Sequence, residues 1–455
     1  MTVYTRRKFV GGGAIAVSPR VIGTALSSAP FAPDSVAALK GARKSAVIAT
    51  HEFRGDIDER LDFPASWDVQ VMKMAGHDAP VLTAAEVRRR LQAPVGTPPL
   101  RQIAAGKKTA VITFDDLTRP TPTYEIVPAV LEELKAAGLA DDNIVFLTSC
   151  GAHRSLESDE VERKLGKNIV RRHAWLNHNV FDNLSNAGET RFRNRIQLNR
   201  TFLAADLRIT ISGVKSHTLA GFGGGAKAVL PGVAGIDTIR YNHMTLARNN
   251  KTVGTARIFQ NEARLDMVEA ARLARVDFSV QLLYNSRRRV CQIFCGDIEA
   301  AHHAACRAAI RHYATPVLRN AGVVVANAYP QNAQATKALT WISRSARQDG
   351  TGVLIVQHPQ MMSAWHYLYS PGYEGGRSYW EPRRRTGPPA GPLLIVYSQY
   401  LQKRQMNDFP PGTVFAAAWE DVIRTLLERH KNDASVAVYP YGCIQHEEEA
   451  VLDEV

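Results

Sequence analysis

Four short segments place histidine, lysine or acidic side chains directly after runs typical of buried strands, or shortly beyond them. They are TFDDLTRPTP at 113–122, TSCGAHR at 148–154, SGVKSHTLAGFGGGAKAVLPG at 212–232 and RYNHM at 240–244. Open α/β sheets bind ligands at the carboxyl ends of their strands, so these segments are predicted to meet at one edge. Histidine transfers protons near neutral pH and is also the commonest metal ligand. The coincidence predicts one site containing His153, His217, Lys227 and His243.

Each of these features also has an ordinary structural explanation. Asp116 can cap a turn, Arg119 can form a surface ion pair, and a single histidine among the 14 in the chain is more often structural. The glycines at 221–225 can simply permit tight packing. The functional interpretation therefore depends on the four segments occurring together.

The stretch GFGGGAKAVLPG, residues 221–232, presents Lys227 behind four glycines. Glycine-rich turns before a lysine are typical of phosphate-binding loops, in which backbone N–H groups surround an anion. The spacing does not fit G-x-x-x-x-G-K-[ST], because Ala226 precedes Lys227 and Ala228 follows it. The lysine must therefore serve a different chemistry.

Composition limits the class of protein. The chain has 455 residues, 45% of them hydrophobic, which favours two globular domains and excludes a largely disordered protein. The net charge is +13, and arginine triplets occur at 287–289 and 383–385 with few aromatic residues nearby. This pattern favours a solvated face or an anionic small-molecule substrate, and we expect no nucleic-acid partner.

The amino terminus, residues 1–33, is similar to a twin-arginine export leader. Arg6 and Arg7 precede a mildly apolar stretch that Pro19 and Arg20 interrupt, so it is too short for a stable membrane span. We therefore expect a periplasmic protein. The alternative is a disordered basic tail on a cytoplasmic protein. The five cysteines lack metal-site or disulfide spacing; Cys291 and Cys295 can pair, although buried thiols are the commoner outcome.

Alternation of strand-like and helix-like runs predicts an α/β fold. It begins with SAVIAT at 45–50, continues with a helix whose capping box is Thr83 and Glu86, and then gives KTAVITF, EIVPAVLEELKAAGL and NIVFLTS. We expect two α/β domains with largely parallel sheets, at 36–313 and 320–450.

The second domain is predicted from AGVVVANAYP onward. A helix near 334–347, strands GVLIVQH and LLIVYSQ, the helix AAAWEDVIRTLLERH and a final strand SVAVYP follow. The segment 369–391, rich in Gly, Pro and Arg, is predicted to be a long loop. Trp341, Trp365 and Trp380 line a pocket or pack in the core, and packing is favoured.

The motifs DDLTRPTP, GAHR, SGVKSH with GGGAKAVLPG, and NH occur in an order and at separations that resemble the nickel-pincer-nucleotide lactate racemase family. The resemblance covers roughly residues 40–450, and YPQNAQATKA extends it into the second domain. It implies an active site in the cleft between two domains. It also implies a nickel-pincer nucleotide, loaded with the help of cofactor-biosynthesis enzymes.

The resemblance assigns roles by position. It implies that Lys227 carries the cofactor through a covalent bond and that His243 is the protein ligand of the nickel. His153 and His217 would be the two acid–base residues. The remaining assignments are cofactor binding by Asp116, Leu117, Thr118 and Arg119, and substrate binding by Arg119, Gln334 and Lys337. The glycines before Lys227 would leave room for a planar ring beside the backbone.

This family implies a racemase or epimerase of a small anionic 2-hydroxy acid. Transient hydride removal gives a 2-keto acid, and each enantiomer's hydroxyl requires its own base. The choice between lactate, a larger hydroxy acid and a sugar acid stays open. Two other hypotheses also stay open: a Schiff-base lyase using Lys227, and an exported non-catalytic binder of the cofactor or of a hydroxy acid.

Overall fold

The computed structural model describes residues 43–249, 251–359, 366–370, 391–406 and 409–454. Several predictions lie outside these residues: the leader at 1–33, the arginines at 383–385, Trp365 and Trp380, and most of the loop at 369–391. Within the described ranges, no helix is long and apolar enough to cross a membrane.

The described strands, in chain order, are β1 Arg43–Thr50, β2 Ile57–Pro64, β3 Asp68–Val71, β4 Ala110–Asp115, β5 Ile144–Ser149, β6 Ala174–Leu176, β7 Leu184–Glu189, β8 Arg195–Asn199, β9 Leu207–Gly213, β10 Ser216–His217, β11 Gly221–Phe222, β12 Phe278–Tyr284, β13 Val290–Gly296, β14 Ala314–Thr315, β15 Ala321–Asn327, β16 Ala346–Ile355, β17 Leu393–Tyr397, β18 Val414–Ala416, β19 Ser435–Tyr439 and β20 His446–Glu447.

The described α-helices are α1 Ala84–Leu91, α2 Leu100–Ala104, α3 Val127–Ala136, α4 Ser158–Leu165, α5 Lys167–Arg172, α6 Arg200–Ala204, α7 Ile236–Arg240, α8 Glu262–Leu273, α9 Ala300–His312, α10 Leu339–Ser345, α11 Lys403–Met406 and α12 Trp419–His430. Short 3-10 helices include Gly225–Ala228 and Asn332–Ala338, and Tyr241–Thr245 is a π-helix.

Two six-stranded sheets dominate the fold, which confirms the predicted α/β class. The first has the order β13-β12-β9-β4-β5-β6 and is parallel except for β13. The second has the order β18-β17-β16-β15-β19-β3 and is parallel throughout. Strands β4 and β15 are buried along their whole lengths, as expected for parallel strands covered on both faces.

Several local predictions are confirmed. Thr83 accepts a hydrogen bond from the Glu86 N–H and Glu86 accepts one from the Thr83 N–H, which completes the capping box of α1. All five cysteines are free and buried. Trp341 is buried and stacks on Tyr439 with ring centroids 4.3 Å apart, so it belongs to the core of the second sheet.

The basic cluster at 287–289 is neutralised within the protein. Arg287 pairs with Asp58, Arg288 with Asp56 at 2.7 Å, and Arg289 with Glu125. These contacts join the cluster to the hairpin β1–β2 and to the turn before α3, so the arginines hold loops together.

The start of the chain differs from the predicted alternation. Strand β1, predicted to open the first domain, forms an antiparallel hairpin with β2 outside both large sheets. Strand β3 pairs in parallel with β19 and forms an edge of the second sheet, although its residues fall within the predicted domain 36–313. The physical reason lies in burial: Trp67, just before β3, is fully buried near Phe63 and His430.

Candidate functional site

Three segments predicted to carry chemistry follow neighbouring strands of the first sheet. Strands β9, β4 and β5 lie side by side and run parallel, so their carboxyl ends share one edge. Asp116 follows β4, His153 follows β5, and His217 follows β9. The prediction that these segments meet at one edge is confirmed for these three residues.

Asp116 and His153 form a buried carboxylate–imidazole pair. Asp116 Oδ2 lies 2.7 Å from His153 Nδ1, and Asp116 Oδ1 accepts hydrogen bonds from the N–H and Oγ1 of Thr118 at 2.7 and 2.5 Å. Burial alone would raise the pKa of Asp116, but His153, Arg119 and Thr118 together hold that pKa well below its usual range. The ionised carboxylate only accepts, so Nδ1 donates and Nε2 of His153 is left as the proton acceptor.

This pairing differs from the cofactor-binding role that the resemblance assigns to Asp116. Both of its oxygens are engaged by His153 and Thr118, and a carboxylate repels a phosphate. Leu117 packs against the core of the first sheet. Arg119 stays the cationic member of the segment; its guanidinium donates to Thr118 Oγ1 at 2.8 Å.

Two buried groups fix the turn that carries Asp116. Asp115 Oδ2 accepts from Thr121 Oγ1 at 2.7 Å and from the Gly213 N–H at 3.3 Å, which ties the turn to the end of β9. Lys164 on α4 is buried and donates to the carbonyls of Arg119 and Thr121 at 3.1 and 2.9 Å. The turn is therefore rigid before any ligand arrives.

His217 is held differently from His153. Its Nδ1 accepts hydrogen bonds from the backbone N–H groups of Leu219 and Ala220, both at 3.2 Å. Burial and the positive charges of Lys227, Lys337 and other neighbouring cations hold the pKa of His217 well below its usual value. The ring is therefore neutral and carries its hydrogen on Nε2, so this ring is a donor in the resting site.

The glycine-rich stretch wraps around protein groups. A Cβ on Gly224 would come within 2.6 Å of Gln281 Oε1, and one on Gly225 within 2.7 Å of the His302 ring. Both glycines have positive φ angles of 73° and 58°. Buried Arg264 donates to the Gly224 carbonyl at 3.1 Å. The glycines thus permit tight packing, and Gly224 also lines a small cavity with Lys227. Their predicted role in leaving room for a planar ring stays a prediction.

Lys227 lies in the 3-10 helix Gly225–Ala228 and is 8% exposed. Burial and the charges of Arg119, Arg264 and Lys337 hold the pKa of its amine well below the usual range. It lines a small cavity with Asp116, Arg119 and His153. A neutral lysine amine in such a cavity is a nucleophile.

His243 fits the predicted role of a single metal ligand. It lies in the π-helix Tyr241–Thr245, and its Nδ1 is buried without a hydrogen-bond partner among the described residues. Burial and the charges of Lys227, His153 and Arg119 lower the pKa of His243 to about 3, so its lone pair is available at neutral pH.

The described residues contain no group of three His, Cys, Asp or Glu side chains able to hold a metal ion on their own. A single imidazole therefore fits a metal whose other ligands come from a cofactor.

The second sheet contributes the predicted substrate-binding residues. Gln334 and Lys337 follow β15 in the 3-10 helix Asn332–Ala338, and Lys337 Nζ donates to Gln334 Oε1 at 2.5 Å. Gln331, in the same loop, donates to the Thr118 carbonyl of the first sheet. The candidate site therefore lies between the two sheets, and the division into two domains stays a prediction.

Sequence reasoning missed four residues of this region: Lys164, Lys215, Gln331 and His366. His366 lies against His153, with ring centroids 5.1 Å apart, and burial together with the charges of His153 and His243 lowers its pKa to about 2. The next residue, Tyr367, donates its N–H to the Ala152 carbonyl at 2.9 Å. Lys215 lies in the motif SGVKSH, two residues before His217. Its closeness to a predicted site residue was the sequence feature that could have indicated it.

The protein is thus a two-sheet α/β protein with a buried carboxylate–imidazole pair and a buried lysine. Residues 55–254 match the lactate racemase N-terminal domain, which contains every predicted site residue of the first sheet. The resemblance to lactate racemases that the motifs predict is therefore confirmed for this domain.

Two curated relatives are similar to this chain in sequence. The chain is 31% identical over 275 residues to a lactate racemase of Lactiplantibacillus plantarum, covering 59% of this chain and 65% of the relative. It is 30% identical over 277 residues to a lactate racemase of Thermoanaerobacterium thermosaccharolyticum, covering 59% and 64%. The chain thus matches slightly less than two thirds of the length of these relatives.

The lactate racemase apoprotein from T. thermosaccharolyticum has a similar fold, with a TM-score of 0.66 and 21% identity over 89% of this chain and all of that chain. A Thermotoga maritima protein matches with a TM-score of 0.58 and 18% identity, covering 80% and 97%.

Proposed function

We propose that the protein racemises or epimerises a small 2-hydroxy carboxylic acid, with lactate as the first candidate. The observation that carries the proposal is the pair of differently held histidines, His153 on a buried carboxylate and His217 on backbone amides, beside Lys227. The matched lactate racemase domain supports the same activity.

His153 is proposed to take the hydroxyl proton at Nε2. Asp116 holds Nδ1–H, keeps the ring oriented and stabilises the imidazolium that forms. Arg119 and Lys337 provide cations for the substrate carboxylate. The product of proton and hydride removal is a 2-keto acid, which must present its other face before the reverse step.

His217 is proposed to serve the opposite enantiomer. In the resting site its Nε2–H donates to the substrate oxygen. To accept a proton at Nε2, the ring must move its hydrogen to Nδ1 and lose the contacts with the amides of Leu219 and Ala220. The two directions therefore start from different protonation states of the site.

The nickel-pincer nucleotide is proposed as the cofactor, held by Lys227 through a covalent bond and by His243 through its metal. When bound, it would supply the hydride acceptor that removal of hydrogen from the α-carbon requires. The buried amine of Lys227 and the unpartnered Nδ1 of His243 support this assignment. Enzymes that build and load the cofactor are the expected protein partners.

The decisive experiment produces the protein together with the cofactor-making enzymes and measures intact mass and nickel content. Optical rotation or chiral chromatography then follows each of a panel of 2-hydroxy acids. Exchange of the stereocentre of any member supports the proposal. A loaded protein that exchanges none is instead the non-catalytic binder.

Carboxylate binding is expected to weaken above pH 7. Burial, with the charge of Arg119, lowers the pKa of Lys337 to about 7, although Cys443 and Lys215 partly oppose this. Only the ammonium form pairs with a carboxylate, so the dissociation constant stays flat below pH 7 and rises about tenfold per unit above it. Calorimetric titration with lactate between pH 6 and pH 9 measures this. In Lys337→Arg, the dissociation constant should no longer rise above pH 7. The same rise in that variant would contradict the assignment.

A second candidate is a Schiff-base lyase, which the depressed pKa of Lys227 favours. Borohydride reduction in the presence of pyruvate would then add a fixed mass to Lys227. An existing adduct of the cofactor on the same lysine, together with bound nickel, excludes the lyase.

We also propose that residues 1–33 direct export through the twin-arginine route, on the basis of Arg6 and Arg7. Replacement of both residues by lysine is expected to retain the protein in the cytoplasm, as measured by fractionation. Unchanged export of this variant would contradict the proposal.

A further inference from the structure

Lys215 has no part in the function proposed above, although it lies within the site. It stands between β9 and β10, and only 1% of its surface is exposed. Its Nζ is buried and has no hydrogen-bond acceptor among the described residues. A buried donor without an acceptor destabilises a fold. The buried Nζ of Lys215 therefore indicates a ligand that would accept its hydrogen bond.

A second buried lysine shows what a purely structural one looks like here. Lys164 is 4% exposed, and its Nζ donates to two backbone carbonyls, those of Arg119 and Thr121. Lys215 is more deeply buried and has no such acceptor. Lys164 therefore stabilises a turn, whereas Lys215 is free to bind a ligand.

The charged surroundings of Lys215 indicate the sign of that ligand. Burial and the charges of Lys337, Arg119 and Lys227 lower the pKa of Lys215, and the thiol of Cys443 partly opposes them. Lys337 lies within hydrogen-bonding distance of Lys215, and this contact raises the pKa of Lys337. Positively charged side chains that converge on one place favour an anion there.

The two amines come from opposite sides of the cleft. Lys215 follows β9 of the first sheet, whereas Lys337 follows β15 of the second, where Gln334 orients it at 2.5 Å. A cavity of about 290 Å³ is lined by Lys337, by Trp341, by residues of the loop after β19, and by Ser216 and His217, which directly follow Lys215. A small organic anion therefore has room beside the pair.

We propose that Lys215 joins Lys337 in binding the carboxylate of the 2-hydroxy acid substrate, with Arg119 as the further cation proposed above. The two oxygens of a carboxylate can each accept from a different amine. Because Lys215 lies two residues before His217, a carboxylate held by Lys215 brings the neighbouring hydroxyl toward that imidazole. Lys215 is thus assigned as a substrate-binding residue; the identity of the carboxylate rests on the proposed function.

The test uses the full-length protein without cofactor. Thermal unfolding and titration calorimetry are performed with sodium lactate and sodium acetate at constant ionic strength. The variants are Lys215→Met, Lys215→Gln as a second form should the first not fold, and Lys107→Met as an exposed-lysine control. Inorganic phosphate and nicotinic acid mononucleotide form a separate arm that represents the anionic end of a nucleotide.

We expect lactate to raise the Tm of the parent protein, since a ligand that binds only the folded state stabilises it. Lys215→Met should have a higher Tm than the parent without ligand, because the unpartnered amine is gone. Its affinity for lactate should fall at least tenfold. Lys107→Met should match the parent in both measurements.

Three results would overturn the proposal. The first is a lactate affinity in the Lys215 variants equal to that of the parent, and the second is no binding of either carboxylate to the parent. The third is that stabilisation by phosphate or by the mononucleotide depends on Lys215, whereas stabilisation by lactate does not. Lys215 would then bind the cofactor and not the substrate. Because no cofactor is present, these results are independent of whether the loaded protein racemises anything.

Discussion

Replacing Lys227 with alanine is expected to give a protein whose intact mass is that of the unmodified chain, even when the cofactor-making enzymes are present. Burial, together with the charges of Arg119, Arg264 and Lys337, holds the pKa of the Lys227 amine well below the usual range. It is therefore an uncharged nucleophile at neutral pH, which attachment requires. Racemisation should fall to background because the cofactor is no longer held.

Intact-mass spectrometry measures the adduct directly, without an activity assay. The matched control is Lys337→Ala, which removes another lysine of the same cleft and should keep the full adduct. An adduct of unchanged mass on the Lys227→Ala protein would place the attachment elsewhere and contradict the assignment. Arg264→Lys is a further variant, because it alters the packing beneath the glycine-rich stretch while leaving Lys227 in place.

Asp116→Asn is expected to reduce kcat by a factor of about 10² to 10⁴ while leaving the covalent adduct intact. The carboxylate accepts from Nδ1–H of His153 at 2.7 Å and thereby leaves Nε2 unprotonated. An asparagine can present its N–H₂ group to Nδ1, which then becomes the acceptor and moves the hydrogen to Nε2. The ring would remain in place but could not take the hydroxyl proton.

Both directions of lactate racemisation should slow equally. Two enantiomers have the same free energy in water, so kcat/KM must stay equal in the two directions in any variant. Asp58→Asn, which removes the exposed ion pair with Arg287, is the control and should leave kcat unchanged. Combining Asp116→Asn with His153→Gln should add little to the loss from His153→Gln alone, because the two residues act as one unit. An unaffected kcat in Asp116→Asn would contradict this mechanism.

Much of the fold was predictable because the parallel strands are short continuous apolar runs. AVITFD, IVFLTS and AGVVVAN each stand between turn residues, and each forms a strand of one of the large sheets. The capping box of Thr83 and Glu86 was readable for a similar reason, since it depends on residues three positions apart. Apolar runs and capping boxes are local patterns, so they predict structure without knowledge of distant contacts.

The position of β3 was not predictable from local sequence. DVQV is short and only partly buried, and its partner β19 lies more than 360 positions further along the chain. Which sheet such a strand joins is decided by the burial of neighbours such as Trp67. No periodicity within the segment carries that information.

The candidate site was predicted as a set of residues but not as a set of contacts. His153, His217, Lys227 and His243 follow from their motifs, yet the engagement of Asp116 with His153 depends on how β4 lies against β5. The same limit applied to Lys215, whose missing acceptor is a property of its surroundings in three dimensions. The sequence indicates which residue types lie in the site, but it does not show which buried polar atoms lack a hydrogen-bond partner.

The exchange of β3 into the second sheet has a consequence for any attempt to divide the molecule. A fragment beginning after Thr315 would lack this strand and leave the hydrogen-bonding edge of β19 open. An open parallel edge is a template for pairing with another chain, so such a fragment should self-associate. The chain passes from the second sheet to the first after β3 and returns before β15. The two sheets therefore cannot be separated by cutting the chain at a single position.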